Sequence, residues 1–223
     1  MKKWKKKFIE FSLKRKVLKF GNFKLRSGRN SPYFFNSKYF CTGSDLLKLG
    51  ECYAHAIIQS RIHPDILLGL AYKGIPIVVA TVIALKIQYN INLAYSFNRK
   101  EIKTYGDGGI IVGKSIKKNN SIIIIDDVLT SGLTIQEFIN LFNIKKNNVI
   151  SGIFLIFDRQ EYGTTEQQSS IQEIETAYSL CKIFSIINIC DLIQYLIKYN
   201  KYQKELKNIL EYYKIYGSKE INY

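Results

Sequence analysis

The residues best suited to chemistry stand in one short string. Four isoleucines at 122–125 are followed by two adjacent carboxylates, Asp126 and Asp127, and then by a small turn rich in hydroxyl groups, 130–134. The backbone N–H groups of such a turn, and the start of a helix behind it, are suited to hold a phosphate dianion. The acids can accept hydrogen bonds from sugar hydroxyls. The string therefore predicts a site for a phosphorylated sugar.

A simpler reading is that the acids only end a strand and that Thr130 or Ser131 caps a helix. The order of the features disfavours it, because an apolar strand, two carboxylates, a phosphate-sized turn and a helix follow one another as such a site requires.

The elements that must position the string are visible on both sides of it. Apolar runs of strand length alternate with helical patterns, which is typical of βαβ units and a mainly parallel sheet. In an open sheet of this kind ligands bind outside the carboxyl ends of the strands, where the two acids stand. The predicted strands are 65–69, 93–97, 121–125, 149–157 and 182–187, and the predicted helices are 76–88, 133–143, 170–180 and 191–214.

The segment 98–113 carries charges and the glycines Gly106, Gly108 and Gly109 but no apolar periodicity, so we expect a mobile functional loop. Residues 108–115 also fit the G-x-x-x-x-G-K-S pattern of a nucleotide-binding P-loop. A P-loop follows a strand and opens a helix, whereas only five residues separate this match from the next predicted strand. A P-loop NTPase is therefore disfavoured.

Composition narrows the classes of protein. The 223 residues are 47% apolar, which excludes intrinsic disorder, and the length suits a single domain. There are 33 Lys and Arg against 18 Asp and Glu, a net charge of +15, and residues 1–29 hold 12 of the basic residues and one acid. This excess is compatible with nucleic acid, a membrane surface or a small polyanion as partner.

Two features bear on location. The longest helix-forming apolar run, 75–85, has 11 residues and is too short to cross a membrane. The four cysteines have neither C-x-x-C spacing nor partner histidines, so they are typical of reduced thiols. We expect a cytoplasmic protein with no metal-binding residues of its own.

Four further motifs accompany the central string. They are FGNFKLRSGRNSPYFFN at 20–36, AYKGIP at 71–76, FNRKEIK at 97–103 and DRQE at 158–161. With DDVLTSGLT at 126–134, their order and spacing resemble those of the orotate phosphoribosyltransferase family, over essentially the whole chain to about residue 214. The central string alone indicates only the wider phosphoribosyltransferase fold, and the other motifs indicate orotate.

The resemblance implies an architecture. It is the type I phosphoribosyltransferase fold, an α/β class with a Rossmann-like, mainly parallel sheet flanked by helices, within a single domain at 1–223. It includes a small N-terminal hood at 1–40, the mobile catalytic loop at 98–113, and C-terminal helices with a tail at 191–223. A homodimer is also implied, in which loop 98–113 reaches the partner's active site.

The resemblance also implies a reaction. The family transfers the 5-phosphoribosyl group from phosphoribosyl pyrophosphate (PRPP) to orotate, giving orotidine 5′-monophosphate and pyrophosphate. Mg²⁺ is expected as cofactor, bound mainly through PRPP and pyrophosphate. Neither nucleic acid nor a membrane is expected as a partner.

Site residues follow by position in the motifs. The expected catalytic residues are Lys103, Arg99, Asp126 and Asp127. The expected PRPP-binding residues are Arg26, Tyr72, Lys73, Arg99, Lys100, Lys103, Tyr105, Asp126, Asp127, Val128, Leu129, Thr130, Ser131, Gly132, Leu133 and Thr134. The expected orotate-binding residues are Phe34, Phe35, Thr130 and Arg159. Cations would neutralise the leaving pyrophosphate, and Arg159 suits a bidentate contact with the orotate carboxylate.

Three positions depart from the family pattern. Arg26 stands where lysine is usual, Tyr105 where histidine is usual, and Leu133 where threonine is usual. These departures bear on affinity and rate more than on the identity of the reaction.

Two alternatives remain at this point. One is a regulator of the same fold that binds RNA; the net charge favours it, whereas the retained Asp126, Asp127 and Lys103 and the lack of a recognised RNA-binding motif disfavour it. The other is a phosphoribosyltransferase for another base, which Phe34, Phe35 and Arg159 disfavour.

Overall fold

Two β-sheets and the helices packed around them form the chain, seen here in a computed structural model. The structure describes residues 1–25, 27–105, 108–129, 135, 138–139, 149–163, 168–177 and 182–218. The strands are β1 (Leu18–Lys24), β2 (Asn30–Phe35), β3 (Ile66–Gly69), β4 (Ala94–Lys103), β5 (Gly109–Gly113), β6 (Ser121–Ile125), β7 (Val149–Asp158) and β8 (Lys182–Asn188). The helices are α1 (Lys3–Lys14), α2 (Gly43–Ser60), α3 (Gly74–Tyr89), α4 (Ser170–Ala177), α5 (Ile189–Lys198) and α6 (Gln203–Tyr216), with a short 3₁₀ helix at Ser37–Tyr39.

The larger sheet has six strands in the order β5-β4-β3-β6-β7-β8. All of its neighbouring pairs are parallel except β4 with β5. The four isoleucines of β6 are fully buried, and alternate ones enter different apolar clusters on the two faces of the sheet. This explains the uninterrupted apolar run, since a central parallel strand is covered on both faces. The predicted α/β class and mainly parallel sheet are confirmed.

The N-terminal segment forms a separate layer. β1 and β2 make a two-stranded antiparallel sheet, and α1 turns Phe8 and Ile9 into the main core. Lys5 on α1 forms a 2.6 Å ion pair with Asp191 on α5. The N-terminal layer is thus tied to the C-terminal helices as well as to the core.

The helix predicted at 133–143 lies mostly outside the described residues, and the other predicted elements differ from the observed ones mainly at their ends. The strand predicted at 121–125 is observed with those bounds. α3 begins at Gly74 rather than Pro76, so the proline lies in the first turn, where its missing N–H has no partner to lose. The helix predicted at 191–214 is two helices, α5 and α6, because Asn200 and Tyr202 adopt positive φ between them.

The segment 98–113, expected to be a mobile functional loop, contains regular strand structure over most of its length. β4 continues to Lys103, and β5 returns antiparallel to it, so the two strands form an edge hairpin. Gly113 has φ of +96°, and a Cβ there would lie 2.5 Å from the Tyr95 carbonyl oxygen, which explains this glycine without a nucleotide. No helix occurs at the described residues between β5 and β6, so the P-loop context is missing. Residues 106–107 lie outside the described part.

No helix in the described ranges combines the length and the apolar character needed to cross a membrane.

The contact between α2 and α3 depends on one small residue. A Cβ at Gly50 would lie 2.4 Å from the carbonyl oxygen of Ala80 on α3. No real Cβ approaches a backbone oxygen so closely, so any larger side chain must push the two helices apart. Since α3 begins beside the end of β6, this contact also supports the sheet edge.

We therefore expect Gly50→Ala to lower the free energy of unfolding by about 1–3 kcal/mol, as overpacking does. The matched control is Gly43→Ala at the start of the same helix, where a Cβ meets no atom within 4 Å. Its stability should stay within about 0.5 kcal/mol of the parent in urea unfolding. Equal stability of the two variants would contradict the close approach.

Candidate active site

A cleft of about 1180 Å³ lies beside the carboxyl ends of β3, β6 and β7. This is the edge at which open α/β sheets bind ligands. Ten of the predicted site residues line it: Phe34, Phe35, Tyr72, Lys73, Lys100, Asp126, Asp127, Val128, Leu129 and Arg159. Residues separated by more than 100 positions in the sequence thus meet in one cavity.

The remaining predicted residues fall into two groups. Arg99 and Tyr105 are described but do not line the cleft; Arg99 donates from Nη1 to the Gly109 carbonyl oxygen across the hairpin at 2.9 Å, and Tyr105 is exposed. The others lie outside the described residues: Arg26, Thr130, Ser131, Gly132, Leu133 and Thr134, with the side chain of Lys103.

Of the two acids Asp126 and Asp127, the side chain of Asp127 has more hydrogen-bond partners. Its Oδ2 accepts a hydrogen bond from the Ser37 hydroxyl at 2.6 Å and from the Lys73 ammonium at 2.7 Å. The carboxylate is buried, whereas Lys73 remains more than half exposed. Asp127 therefore joins three segments: the end of β6, the start of α3, and the 3₁₀ helix after β2. Ser37 was not predicted as a site residue; its position directly after the FFN motif was the available signal.

Asp126 is held mainly through its backbone. Its carbonyl oxygen accepts a 2.6 Å hydrogen bond from the Tyr53 hydroxyl, and its Oδ1 accepts from the Asp127 N–H at 2.9 Å. Burial and then the charge of Asp127 raise the pKa of Asp126 to about 7. The site thus holds a carboxyl whose pKa lies near neutrality, and hydroxyl donors or cations would favour its ionised form.

The loop that carries Lys73 is packed too tightly for larger side chains. A Cβ at Gly74 would lie 2.6 Å from the Ile125 carbonyl oxygen, and one at Gly69 would lie 2.4 Å from the Gly74 oxygen. The Ala71 N–H donates to Asn98 Oδ1 on β4 at 2.8 Å. These contacts place Lys73 beside Asp127 and leave the Tyr72 ring 70% exposed at the cleft.

The opposite wall of the cleft is aromatic and cationic. Phe35 stacks on Phe157 with ring centroids 5.2 Å apart and is buried, while Phe34 stacks on Phe23 at 5.4 Å and is half-buried. Alternation along β2 points the two rings to opposite faces of the strand. Phe35 therefore serves the core as well as the cleft.

Arg159 lies at the carboxyl end of β7 and is largely buried. Its Nε donates to Glu161 Oε1 at 2.8 Å, and its Nη2 donates to the Ser31 hydroxyl at 2.7 Å. The guanidinium carbon lies 4.1 Å from the centroid of the Tyr33 ring. A cation so fixed at a cavity wall is suited to receive a planar carboxylate.

No group of three metal-capable side chains occurs among the residues that the structure describes. The acids of the cleft instead face ammonium, hydroxyl and N–H donors. The arrangement is suited to a ligand that brings both hydroxyl groups and negative charge.

Comparison with known proteins shows the class of protein to which the chain belongs. Residues 43–181, more than half of the chain, match the family model described as "Phosphoribosyl transferase domain". The chain is 49% identical to an orotate phosphoribosyltransferase of Buchnera aphidicola, over 96% of this chain and 99% of that one. It is 47% identical to the enzyme of that name from Photorhabdus laumondii, over 97% of each.

A solved structure agrees with these relatives. The crystal structure of the orotate phosphoribosyltransferase from Francisella tularensis superposes with a TM-score of 0.83 at 39% identity, covering 95% of this chain and 100% of that one. The chain belongs to the orotate phosphoribosyltransferase family of phosphoribosyl transferases.

The raised pKa of Asp126 predicts how stability depends on pH. The pKa lies at about 7 in the fold against an ordinary value of 3.8, so the unfolded chain loses this proton first as the pH rises. The parent should therefore lose stability between about pH 4 and 7, and Asp126→Asn should be more stable than the parent by about 1–3 kcal/mol at pH 8. Thermal unfolding of both proteins without ligand, from about pH 4.5 to 8, measures this. A difference that does not change with pH would contradict the assigned pKa.

Proposed function

We propose that this protein transfers the 5-phosphoribosyl group from PRPP to orotate, yielding orotidine 5′-monophosphate and pyrophosphate in pyrimidine biosynthesis. Family membership supports the reaction. The single observation in the fold that carries it is the meeting of Lys73, Asp127 and Arg159 in one cleft at the carboxyl edge of the sheet.

The charges of the cleft suit the bond that must break. Loss of pyrophosphate from C1 of PRPP leaves positive charge on the ribose and negative charge on the leaving group. Asp126 and Asp127 would face the ribose hydroxyls and favour the cationic sugar, while Lys73 and Lys100 would face the pyrophosphate. Such preorganised charge is typically worth several kcal/mol at a developing ion.

Lys73 and Asp127 form an ion pair in which Nζ lies 2.7 Å from Oδ2, so each charge neutralises the other. An incoming pyrophosphate would compete for the exposed lysine and leave Asp127, still held by Ser37, to accept a ribose hydroxyl. Binding of the two halves of PRPP would thereby be coupled.

Mg²⁺ is proposed to enter with PRPP and to remain bound mainly through its pyrophosphate oxygens, where it neutralises leaving-group charge. The donors around the acids fit this arrangement. Lys73 and Ser37 already occupy Oδ2 of Asp127, so phosphate oxygens and water would supply most of the metal's ligands.

We further propose a homodimer in which segment 98–113, the β4–β5 hairpin, serves the partner's cleft. The positions of Arg99 and Tyr105 support this, because both are expected PRPP-binding residues yet, unlike Lys100, neither lines the cleft of its own chain. The cytoplasmic location and the absence of a nucleic-acid partner stay predictions of the sequence.

The reaction is tested by incubating the protein with Mg²⁺ and PRPP and offering orotate, uracil, hypoxanthine and adenine separately. We expect release of pyrophosphate with orotate only, because Arg159 would bind the carboxylate of orotate, which the other bases lack. Chelation of Mg²⁺ should abolish the signal. Turnover with a purine alone, or RNA binding with no turnover of any base, would overturn the proposal in favour of one of the two alternatives.

Sharing across the dimer is tested by mixing variants. Lys103→Ala and Asp127→Ala should each be nearly inactive, and a mixture after subunit exchange should regain about one quarter of the parent activity, since one site in each hybrid dimer carries neither change. The matched control mixes Asp126→Ala with Asp127→Ala, which lie on the same side of the site and should show no recovery. Absence of recovery in the first mixture, with exchange demonstrated, would contradict sharing.

A further inference from the structure

At the base end of the cleft lies a buried polar cluster whose centre, Glu161, lines the cleft but has no role in the reaction as described. The Glu161 side chain is only 9% exposed. A carboxylate removed from water is costly unless several donors satisfy it. Glu161 has such donors from three parts of the fold.

One set of contacts joins Glu161 to Arg159. The Arg159 Nε lies 2.8 Å and its Nη2 2.7 Å from the same oxygen, Oε1. With the Ser31 contact to Nη2, these bonds occupy one edge of the guanidinium, and the Tyr33 ring covers one face. Arg159 also lines the cleft. The guanidinium is thus held through Nε and Nη2 at the wall of the space where a ligand would bind.

A second set of contacts holds Glu161 itself. The Tyr33 hydroxyl donates to Oε1 and the Tyr212 hydroxyl donates to Oε2, each at 3.1 Å. Burial raises the pKa of Tyr33 well above its usual value and the pKa of Tyr212 to about 12, so both phenols keep the proton that they donate. Tyr33 belongs to β2 and Tyr212 to α6, so the N-terminal layer and the last helix fix the carboxylate together.

The charge of the cluster also matches one class of ligand. Arg29 Nη1 lies 3.6 Å from Glu161 Oε2, and Arg29 lines the same cleft. Two guanidinium groups and one carboxylate carry a net charge of +1. A base with a single carboxylate neutralises this charge, whereas a neutral base leaves it in place at a partly buried wall.

We propose that Glu161 is a positioning residue for base recognition: it holds Arg159 through Nε and Nη2 so that the guanidinium meets the carboxylate of the base, and Tyr212 on α6 holds Glu161 in turn. The inference rests on the proposed function. It assigns to a helix outside the cleft a share in the selection of a carboxylated pyrimidine, because Tyr212 does not line the cavity.

The test measures KM for orotate and for PRPP in four variants. Glu161→Gln keeps the size of the side chain and should raise the orotate KM by about tenfold or more, as loss of a charged hydrogen bond does, with the PRPP KM within about twofold of the parent. Tyr212→Phe removes one neutral donor and should raise the orotate KM by about threefold. Tyr213→Phe is the matched control on the same helix, since that ring is equally buried and its hydroxyl is not among the partners of Glu161, and both of its KM values should equal those of the parent.

The fourth variant, Arg159→Ala, separates the two proposals. If the parent does not use orotate, or if Arg159→Ala leaves the orotate KM unchanged, the assignment of the base site fails. If Arg159→Ala raises the orotate KM but Tyr212→Phe and Glu161→Gln do not, only the positioning role fails. Parallel rises in both KM values, or loss of thermal stability with both KM values intact, would show that Glu161 is structural. Tyr212→Phe decides the matter even if Glu161→Gln does not fold.

Discussion

The burial of β6 on both faces is the constraint on which the rest of the structure depends. Its isoleucines are closed off from water by helices on one side and by a second apolar cluster on the other, so the strand can neither slide nor rotate without exposing them. Asp126 and Asp127 directly follow the last residue of β6, so the packing of the strand also fixes the position of their backbone. Gly69 and Gly74 let α3 begin within van der Waals distance of the strand end, which brings Lys73 to Asp127.

The basic side chains of the chain fall into two groups, those at the cleft and those of the N-terminal segment. Around the cleft, cations are paired with buried acids: Lys73 with Asp127, and Arg159 and Arg29 with Glu161. These pairs hold the cations at the cleft in position for a polyanionic substrate. On α1, Lys3, Lys7 and Lys14 are exposed and contribute to the overall field, whereas Lys5 pairs with Asp191 and Lys6 lies over the Tyr199 ring.

Two layers outside the main sheet support the substrate site from beneath. Ser37, after β2, holds Asp127, and Tyr33, within β2, holds Glu161. Tyr212 reaches the same carboxylate from α6. Segments from the N-terminal layer and from α6 thus meet beside the cleft, where they fix the carboxylates of Asp127 and Glu161. This is the usual division between residues that touch a ligand and residues that limit the motion of those side chains.

The sequence by itself determined the fold class, the bounds of β6 and ten of the residues that line the cleft, because strand periodicity and the order of motifs can be read along the chain without knowing tertiary contacts. Only the tertiary structure decided that 98–103 continues as strand, since β5 supplies the partner that a polar edge strand needs. It alone showed Ser37, Tyr53, Glu161 and Tyr212 beside the site. Their roles arise from hydrogen bonds between residues 51 to 128 positions apart and from burial, and neither can be read from spacing along the chain.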